Sequence, residues 1–433
     1  MIDRRGLKAH APFGRLARLL SPVQPNLEDL LPRSFGGSPI ALSIGEPRRQ
    51  PPAFVAEELT RHAGDWSRYP PPRGSERYLE ACGRWLARRY GIEETEVSAG
   101  GLLDPARVLL PLPGSREGLF MTALASIAAR HDGPPPLVLI PNPFYHAYAG
   151  AAAAAGCEAV FVPASAETGF LPDFAGLPAE ILERAALCFL CTPSNPQGVA
   201  ADLDWLCGLI RCAREHDFVL AIDECYAEIY NEAAPAGGLQ AAVALDSGSG
   251  AGSREALDGL LLFHSLSKRS SAPGLRCAFV AGDPRLIERL EFLMTTGGAG
   301  VPLPVLAAGA RLWSEESHVE ENRAFYRENF AIAERVLGKR FGYRKPAGGF
   351  FLWLDVGDGE AAALELWREA AIRVLPGAYM SAGDGAWDLD AGTAIGDAVD
   401  AAGRNPGQRY IRVALVHGPE VTEAALRRLT DIL

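Results

Sequence analysis

From residue 137 to 281 the chain repeats one pattern: a short apolar run rich in strand-forming residues, then a longer stretch with helical periodicity. That alternation leaves few folds open, because parallel strands must be joined by crossover segments and a helix is the usual one. The spacing predicts strands over 137–140, 159–162, 187–190, 218–222, 260–264 and 277–281, with helices between them such as 203–216 and 284–293. Ahead of these, 115–130 reads as a helix opened by Gly114, with Ser115 as a candidate cap. Beyond Pro302 the pattern turns to a long helix, short strands around 349–354 and 410–415, and a final helix. The expected architecture is an α/β fold. A mixed, mostly parallel sheet fills a large domain over 52–301, and a smaller α+β domain is built from 1–51 and 302–433. A length of 433 residues also suits two domains. The stretch 383–407, rich in Gly, Asp and Ala, reads as a surface excursion.

Charge and composition narrow the function classes. A formal net charge of −11 disfavours a sequence-independent grip on nucleic acid or an anionic membrane, while leaving room for a local basic pocket. The Ala-rich run from Ala149 to Ala155 is too short to span a bilayer. The basic N-terminus (Arg4, Arg5, Lys8) lacks the apolar core and cleavage site of a secretory signal. Phe13, Leu16, Leu19 and Leu20 instead share one face of a short amphipathic helix, with Arg15 and Arg18 opposite. The eight cysteines form no disulfide framework, which points to the cytoplasm. Cys188 and Cys191 make a CxxC, but it sits inside an apolar run with no second ligand pair. A buried strand is the reading there, and no metal is expected.

The chemistry concentrates after the strands. Phe263-His-Ser-Leu-Ser-Lys-Arg-Ser-Ser-Ala-Pro-Gly-Leu-Arg276 is a strand running into a loop with several hydroxyls, Lys268 and then Arg276. Loops beyond the carboxyl ends of strands are where open α/β sheets bind ligands. A lysine there can act as a Schiff-base nucleophile if burial or a neighbouring cation such as Arg276 lowers its pKa. Arg276, Ser265 and Ser267 offer a fork and hydroxyls to a phosphate; a solvated basic loop would read the same way. Phe218-Val-Leu-Ala-Ile-Asp-Glu-Cys-Tyr226 ends a strand in Asp223, a carboxylate placed either to pair with a ring nitrogen or simply to cap the next helix. Cys191-Thr-Pro-Ser-Asn-Pro-Gln-Gly198 is a rigid turn that presents the Asn195 amide. Pro113-Gly-Ser-Arg-Glu-Gly is a glycine-bounded helix start suited to a phosphate, and Pro141-Asn-Pro-Phe-Tyr145 sets an aromatic just past a strand.

In this order, and over almost the whole chain, these pieces resemble the fold-type I pyridoxal-phosphate enzymes of the class I/II aminotransferase group. The resemblance implies an aspartate-aminotransferase-like fold and pyridoxal 5′-phosphate as cofactor. It implies that Lys268 holds the cofactor as a Schiff base and shuttles the substrate proton, with Asp223 on the ring nitrogen. Asn195 and Tyr226 would bind the ring hydroxyl, and Tyr145 would stack on the ring. The phosphate would be held by Ser115 and Arg116 backbone N–H groups, Ser265 and Arg276. Arg412, in Tyr410-Ile-Arg-Val-Ala-Leu, matches the arginine that forks onto the substrate α-carboxylate, and Gly45 matches the glycine of a segment closing over substrate. Tyr69, in Arg68-Tyr-Pro-Pro-Pro-Arg-Gly74, matches a tyrosine reaching the partner subunit's phosphate, which implies a homodimer with shared active sites.

Within the group the chain is most similar to the succinyldiaminopimelate transaminases of lysine and diaminopimelate biosynthesis. That likeness is carried by Phe13-Gly-Arg-Leu-Ala-Arg-Leu-Leu20, Ser43-Ile-Gly-Glu-Pro-Arg48, Asn142-Pro-Phe-Tyr145, Gly169-Phe-Leu-Pro-Asp173, Asp223-Glu-Cys-Tyr-Ala-Glu-Ile-Tyr230, Leu375-Pro-Gly-Ala-Tyr379 and, above all, Lys268-Arg269-Ser270. It implies an amino-acid donor, N-succinyl-LL-diaminopimelate, and a 2-oxo acid acceptor, 2-oxoglutarate. Aspartate, aromatic amino acids or LL-diaminopimelate as donor are the alternatives in the same fold, and a pyridoxal-phosphate lyase is the alternative chemistry. Two departures stand out: Gln197 where threonine is common, and the glycine-rich Thr295-Thr-Gly-Gly-Ala-Gly300, expected to widen the pocket. A distal substrate carboxylate needs a cation, for which Arg48, Arg49 and Arg73 are candidates.

Overall fold

A computed structural model describes residues 39–127, 134–246, 254–382 and 405–433. The helix expected over Phe13–Leu20 and nearly all of 383–407 lie outside them. The strands are, in chain order, β1 (Ile40–Ala41), β2 (Leu109–Leu112), β3 (Leu137–Asn142), β4 (Glu158–Pro163), β5 (Ala185–Cys191), β6 (Val219–Asp223), β7 (Leu260–Ser265), β8 (Ala278–Gly282), β9 (Phe351–Asp355), β10 (Ile372–Arg373), β11 (Leu375–Pro376) and β12 (Tyr410–Ala414). Seven of them form one sheet in the order β2-β8-β7-β6-β5-β3-β4. The pairs from β4 through β7 are parallel, while β8 runs antiparallel to both β7 and β2. All six expected strands of the large domain are present; the short β2, whose proline and leucines carry no alternation, went unread.

The central strands are apolar on both faces because helices cover both. Alternation sends Leu220, Ile222, Leu260 and Leu262 into a core with Trp85 and Leu86 of the helix Glu76–Tyr90. It sends Ala221, Leu261 and Phe263 to the opposite face, against Leu119 and Ala123 of the helix Ser115–Ser126. Each large side chain buried this way contributes about 1.5–3 kcal/mol. This packing fixes where the strands of the sheet end. Cys188 and Cys191 lie buried on β5, and both are free thiols.

A third core forms the smaller unit. There β11-β12-β9 make an antiparallel sheet covered by the helices Ser317–Leu337, Gly359–Ala370 and Pro419–Ile432. The N-terminal segment joins this unit: β1 pairs with β10, and Leu42 sits in its core. The long helix expected beyond Pro302 is two helices, Leu303–Ser314 and Ser317–Leu337. The first packs with the large sheet's core through Leu306, Leu312 and Trp313, so that core continues past the expected boundary at 302. Among the described residues no helix is long and apolar enough to cross a membrane.

Candidate active site

The parallel register sets Cys191 of β5 beside Asp223 of β6, and Asp223 beside Phe263 of β7, so the loops that follow converge. They meet residues of the smaller unit around a cavity of ≈ 550 Å³. Ser115, Arg116, Tyr145, Asn195, Asp223, Tyr226, Ser265, Lys268, Arg276, Gly45 and Arg412 all line it. Residues from seven separate segments of the sequence thus meet on one cavity.

At the end of β7, Ser265 caps the four-residue helix Leu266–Arg269, its Oγ accepting from Ser267 N at 3.1 Å. That cap starts the turn carrying Lys268. From the smaller unit, Asn322 Nδ2 donates to the carbonyls of Lys268 (2.9 Å) and Arg269 (3.2 Å), fixing the loop from behind. Lys268 Nζ donates to Gly45 O at 2.7 Å, so the lysine already touches the segment expected to close over substrate. Burial lowers the Lys268 pKa to about 8, with the nearby Arg412 charge adding to the effect. The neighbour expected to do this was Arg276; its guanidinium is instead engaged with Glu117 at the rim.

Asp223 is buried, and burial raises its pKa against the hydrogen bonds it accepts. Those come from Cys225 N (3.2 Å) and from Tyr148 Oη (3.2 Å) on the helix His146–Ala154. Tyr148 in turn stacks on Phe189, with ring centroids 4.6 Å apart. A plain helix-capping acid would not face a cavity with a lysine on its other side. Arg412, in the middle strand β12, is also buried. Its Nη1 donates to Asn195 Oδ1 (2.9 Å) and its Nη2 to Ser43 O (2.7 Å), over the face of Phe351 at 4.3 Å. Its Nε is buried with no hydrogen-bond partner, and burial brings its pKa down to about 10, so it stays charged at neutral pH. A buried cation with a spare donor is suited to a carboxylate.

The outer rim is built differently. Gly114, at φ +129°, precedes the helix Ser115–Ser126, whose first N–H groups face the cavity mouth. Ser115 opens the helix and does not cap it; Gly114 occupies the cap position, with no side-chain bond. Arg276, held at φ +52°, points its guanidinium across this helix start. Together with Ser265 and Ser267 these groups are donors that could hold an anion. Arg116 Nε donates to Tyr145 Oη at 2.7 Å, so the Arg116 side chain as well as its backbone borders the cavity.

Other expectations fall elsewhere. Arg48, Arg49 and Arg73 do not line the cavity: Arg49 faces Glu321 (3.7 Å), and Arg73 is held by Glu291 (2.7 Å) and Ala106 O (2.6 Å). The glycine-rich segment does not widen it either; Gly300 lies against Pro70, next to Tyr69. Tyr69 itself is 99% exposed and outside this chain's cavity. Gln197 is buried, its amide reaching Ala164 O at 3.4 Å. Arg269, of the tripeptide that carried the resemblance, is buried against Leu312 O and Glu316 and supports the lysine loop from outside the cavity. Neither Asn322 nor His146 carries a local mark in the sequence. Only the helical offset of Tyr148, three residues past Tyr145, hinted at a shared face.

Comparisons with known proteins give the family. Residues 38–387 match the family model described as aminotransferase class I and II. An LL-diaminopimelate aminotransferase of Syntrophobacter fumaroxidans is 31% identical over 402 residues, covering 91% of each chain. An aminotransferase structure from Neisseria meningitidis is 34% identical with a TM-score of 0.81, covering 97% of this chain and 96% of that one. The structure of a probable N-succinyldiaminopimelate aminotransferase from Thermus thermophilus is 25% identical with a TM-score of 0.76, covering 94% of this chain and 99% of that one. The chain belongs to the class I and II aminotransferases, enzymes that work through pyridoxal phosphate.

Proposed function

We propose that the protein transfers an amino group from N-succinyl-LL-diaminopimelate, an amino acid with carboxylates beyond the one next to the reacting amine, to 2-oxoglutarate, in diaminopimelate and lysine biosynthesis. The observation that carries this is the pairing of Lys268 with two guanidiniums on one cavity: buried Arg412 with an unpartnered Nε, and Arg116 beside Tyr145.

The residues present fit the cofactor. The rim offers N–H groups, two serine hydroxyls and Arg276 to a phosphate, and the interior offers a carboxylate, Asp223, with a lysine near it. When bound, pyridoxal phosphate supplies the electron sink that stabilises negative charge at the substrate Cα. Asp223 would keep a proton on the ring nitrogen, and Tyr148 holds Asp223 in place. Asn195 and Tyr226 would hold the ring hydroxyl, and Tyr145 would pack against the ring. Lys268 Nζ would hold the cofactor and would be released when the donor's amine takes its place. The released Lys268 amine would then take the proton from the substrate Cα and pass it on as a general acid. Its lowered pKa suits both steps, because the amine must be unprotonated to accept. Arg412 receives the α-carboxylate while Gly45 and Ser43 shut water out above it. Arg116 takes the role first considered for Arg48, Arg49 and Arg73, meeting the second carboxylate of donor or acceptor.

A homodimer with Tyr69 reaching the partner's cofactor phosphate is part of this proposal. Its support is the exposure of Tyr69, Trp66 (55%) and Phe292 (67%), apolar surface that a partner would cover. A fully active monomer in sedimentation velocity would refute it. A second reading, LL-diaminopimelate as donor, is favoured by the name of the Syntrophobacter relative and by Glu46 at the cavity, a carboxylate that a free distal ammonium would need. The deciding experiment is glutamate formation from 2-oxoglutarate with each donor in turn: N-succinyl-LL-diaminopimelate, LL-diaminopimelate, aspartate and an aromatic amino acid. A preference of at least about 100-fold in kcat/KM for the succinylated donor supports the first reading. Preference for the free diamine replaces it with the second.

A further inference from the structure

We propose that Glu117 is a positioning residue for the cofactor phosphate, acting through Arg276. The inference rests on the assignment of Arg276 to that phosphate.

Three residues define the arrangement. Arg276 Nη2 lies 2.9 Å from both Oε1 and Oε2 of Glu117, and Nη1 donates to Pro273 O at 3.2 Å. Glu117 sits in the first turn of the helix Ser115–Ser126, where a carboxylate is favoured by the helix dipole. Gly114 makes the approach possible: a Cβ there would stand 2.0 Å from Arg276 Nη2 and 2.5 Å from Glu117 Oε2. The guanidinium therefore lies directly over the helix start, in space that only glycine leaves open. Arg276 adopts a left-handed backbone conformation, uncommon for a side chain of its size, and three hydrogen bonds engage its guanidinium.

Both partners are part-exposed, with side-chain accessibilities of 44% and 39%, so the pair contributes little to folding stability. Its effect is on geometry. Both carboxylate oxygens use a single nitrogen, which leaves Nε and the second Nη1 hydrogen available to an anion at the helix start. An arginine already fixed in place loses less conformational freedom when the phosphate arrives. Without Glu117 the side chain swings into solvent and the cradle keeps only its N–H groups and hydroxyls.

The test is equilibrium binding to the full-length apoenzyme, followed by visible absorbance and by quenching of protein fluorescence. Pyridoxal phosphate is compared with pyridoxal, which lacks the phosphate. Glu117→Ala is expected to weaken pyridoxal phosphate binding by roughly five- to tenfold and to leave pyridoxal within about twofold. Glu117→Gln keeps an oxygen for Nη2 and is expected to stay within about threefold for both. Unchanged or tighter binding of pyridoxal phosphate to Glu117→Ala overturns the proposal. So does an equal loss for both ligands, or a loss in Glu117→Gln as large as in the alanine variant. Arg276→Ala separates the underlying assignment: if it leaves the ratio of the two affinities unchanged, Arg276 does not hold the phosphate and the assignment itself fails.

Discussion

The interior wall and the outer rim of the cavity both carry charge, but they spend it differently. In the interior, Asp223, Lys268 and Arg412 are withdrawn from water, and burial shifts the pKa of each. At the rim, Arg276 and Glu117 pair in partial contact with solvent. A charge in the low-dielectric interior interacts strongly with whatever approaches it, whereas a rim charge is screened. The wall is thus where reacting atoms belong, and the rim is where a permanently charged anchor can be held without altering the chemistry.

The largest effects should come from the wall. Lys268→Ala is expected to lower turnover by more than about 10⁴-fold and to remove the visible absorbance of lysine-bound cofactor. A yellow, active variant would break the contrast outright. Arg412→Ala is expected next, cutting kcat/KM by roughly 10²–10³-fold, about 3–4 kcal/mol, because a buried charge-assisted contact is lost. Arg412→Lys should recover only part, lacking the fork. Steady-state kinetics with a fixed donor reads both.

A pH experiment sharpens the same contrast. In the proposed reaction the unprotonated Lys268 amine is the nucleophile, and burial lowers its pKa to about 8. The rate at which apoenzyme captures pyridoxal phosphate should therefore rise about tenfold per pH unit below that value and level off above it. An unperturbed lysine would keep rising past pH 10, and stopped-flow absorbance distinguishes the two. Tyr148→Phe removes one of the donors to Asp223 and should cost roughly five- to tenfold in kcat. The smallest effect is expected at the rim: Arg276→Ala should weaken cofactor binding yet leave kcat within about threefold once pyridoxal phosphate is saturating. A large loss of kcat at saturation would erase the distinction between rim and wall.

The parts of this arrangement that were legible in the sequence share a physical cause. Lys268, Asp223 and Asn195 follow apolar strands, and strand ends are marked locally by where the apolar run stops. The six central strands were legible for the same reason. Contacts across distant segments left no local mark. Asn322 supports Lys268 from 54 positions away, and Tyr148 reaches Asp223 from 75, on helices whose faces look like ordinary packing surfaces. The helix Leu303–Ser314 misled for a related reason: its apolar face says that it is buried, but not against which core. The candidates for a second carboxylate failed through competition, since Arg49 and Arg73 face acids that sequence order does not bring near. Arg116, hidden in a motif read for its backbone, was left in the cavity.

The most direct test uses the chain's own composition. It has four lysines, Lys8, Lys268, Lys339 and Lys345, and of the three described only Lys268 borders the cavity. Holoenzyme reduced with borohydride and digested should yield a single pyridoxyl-modified peptide by mass spectrometry. The account expects the label on Lys268 at close to one per chain. A label on Lys8, Lys339 or Lys345, or none on Lys268, would contradict it.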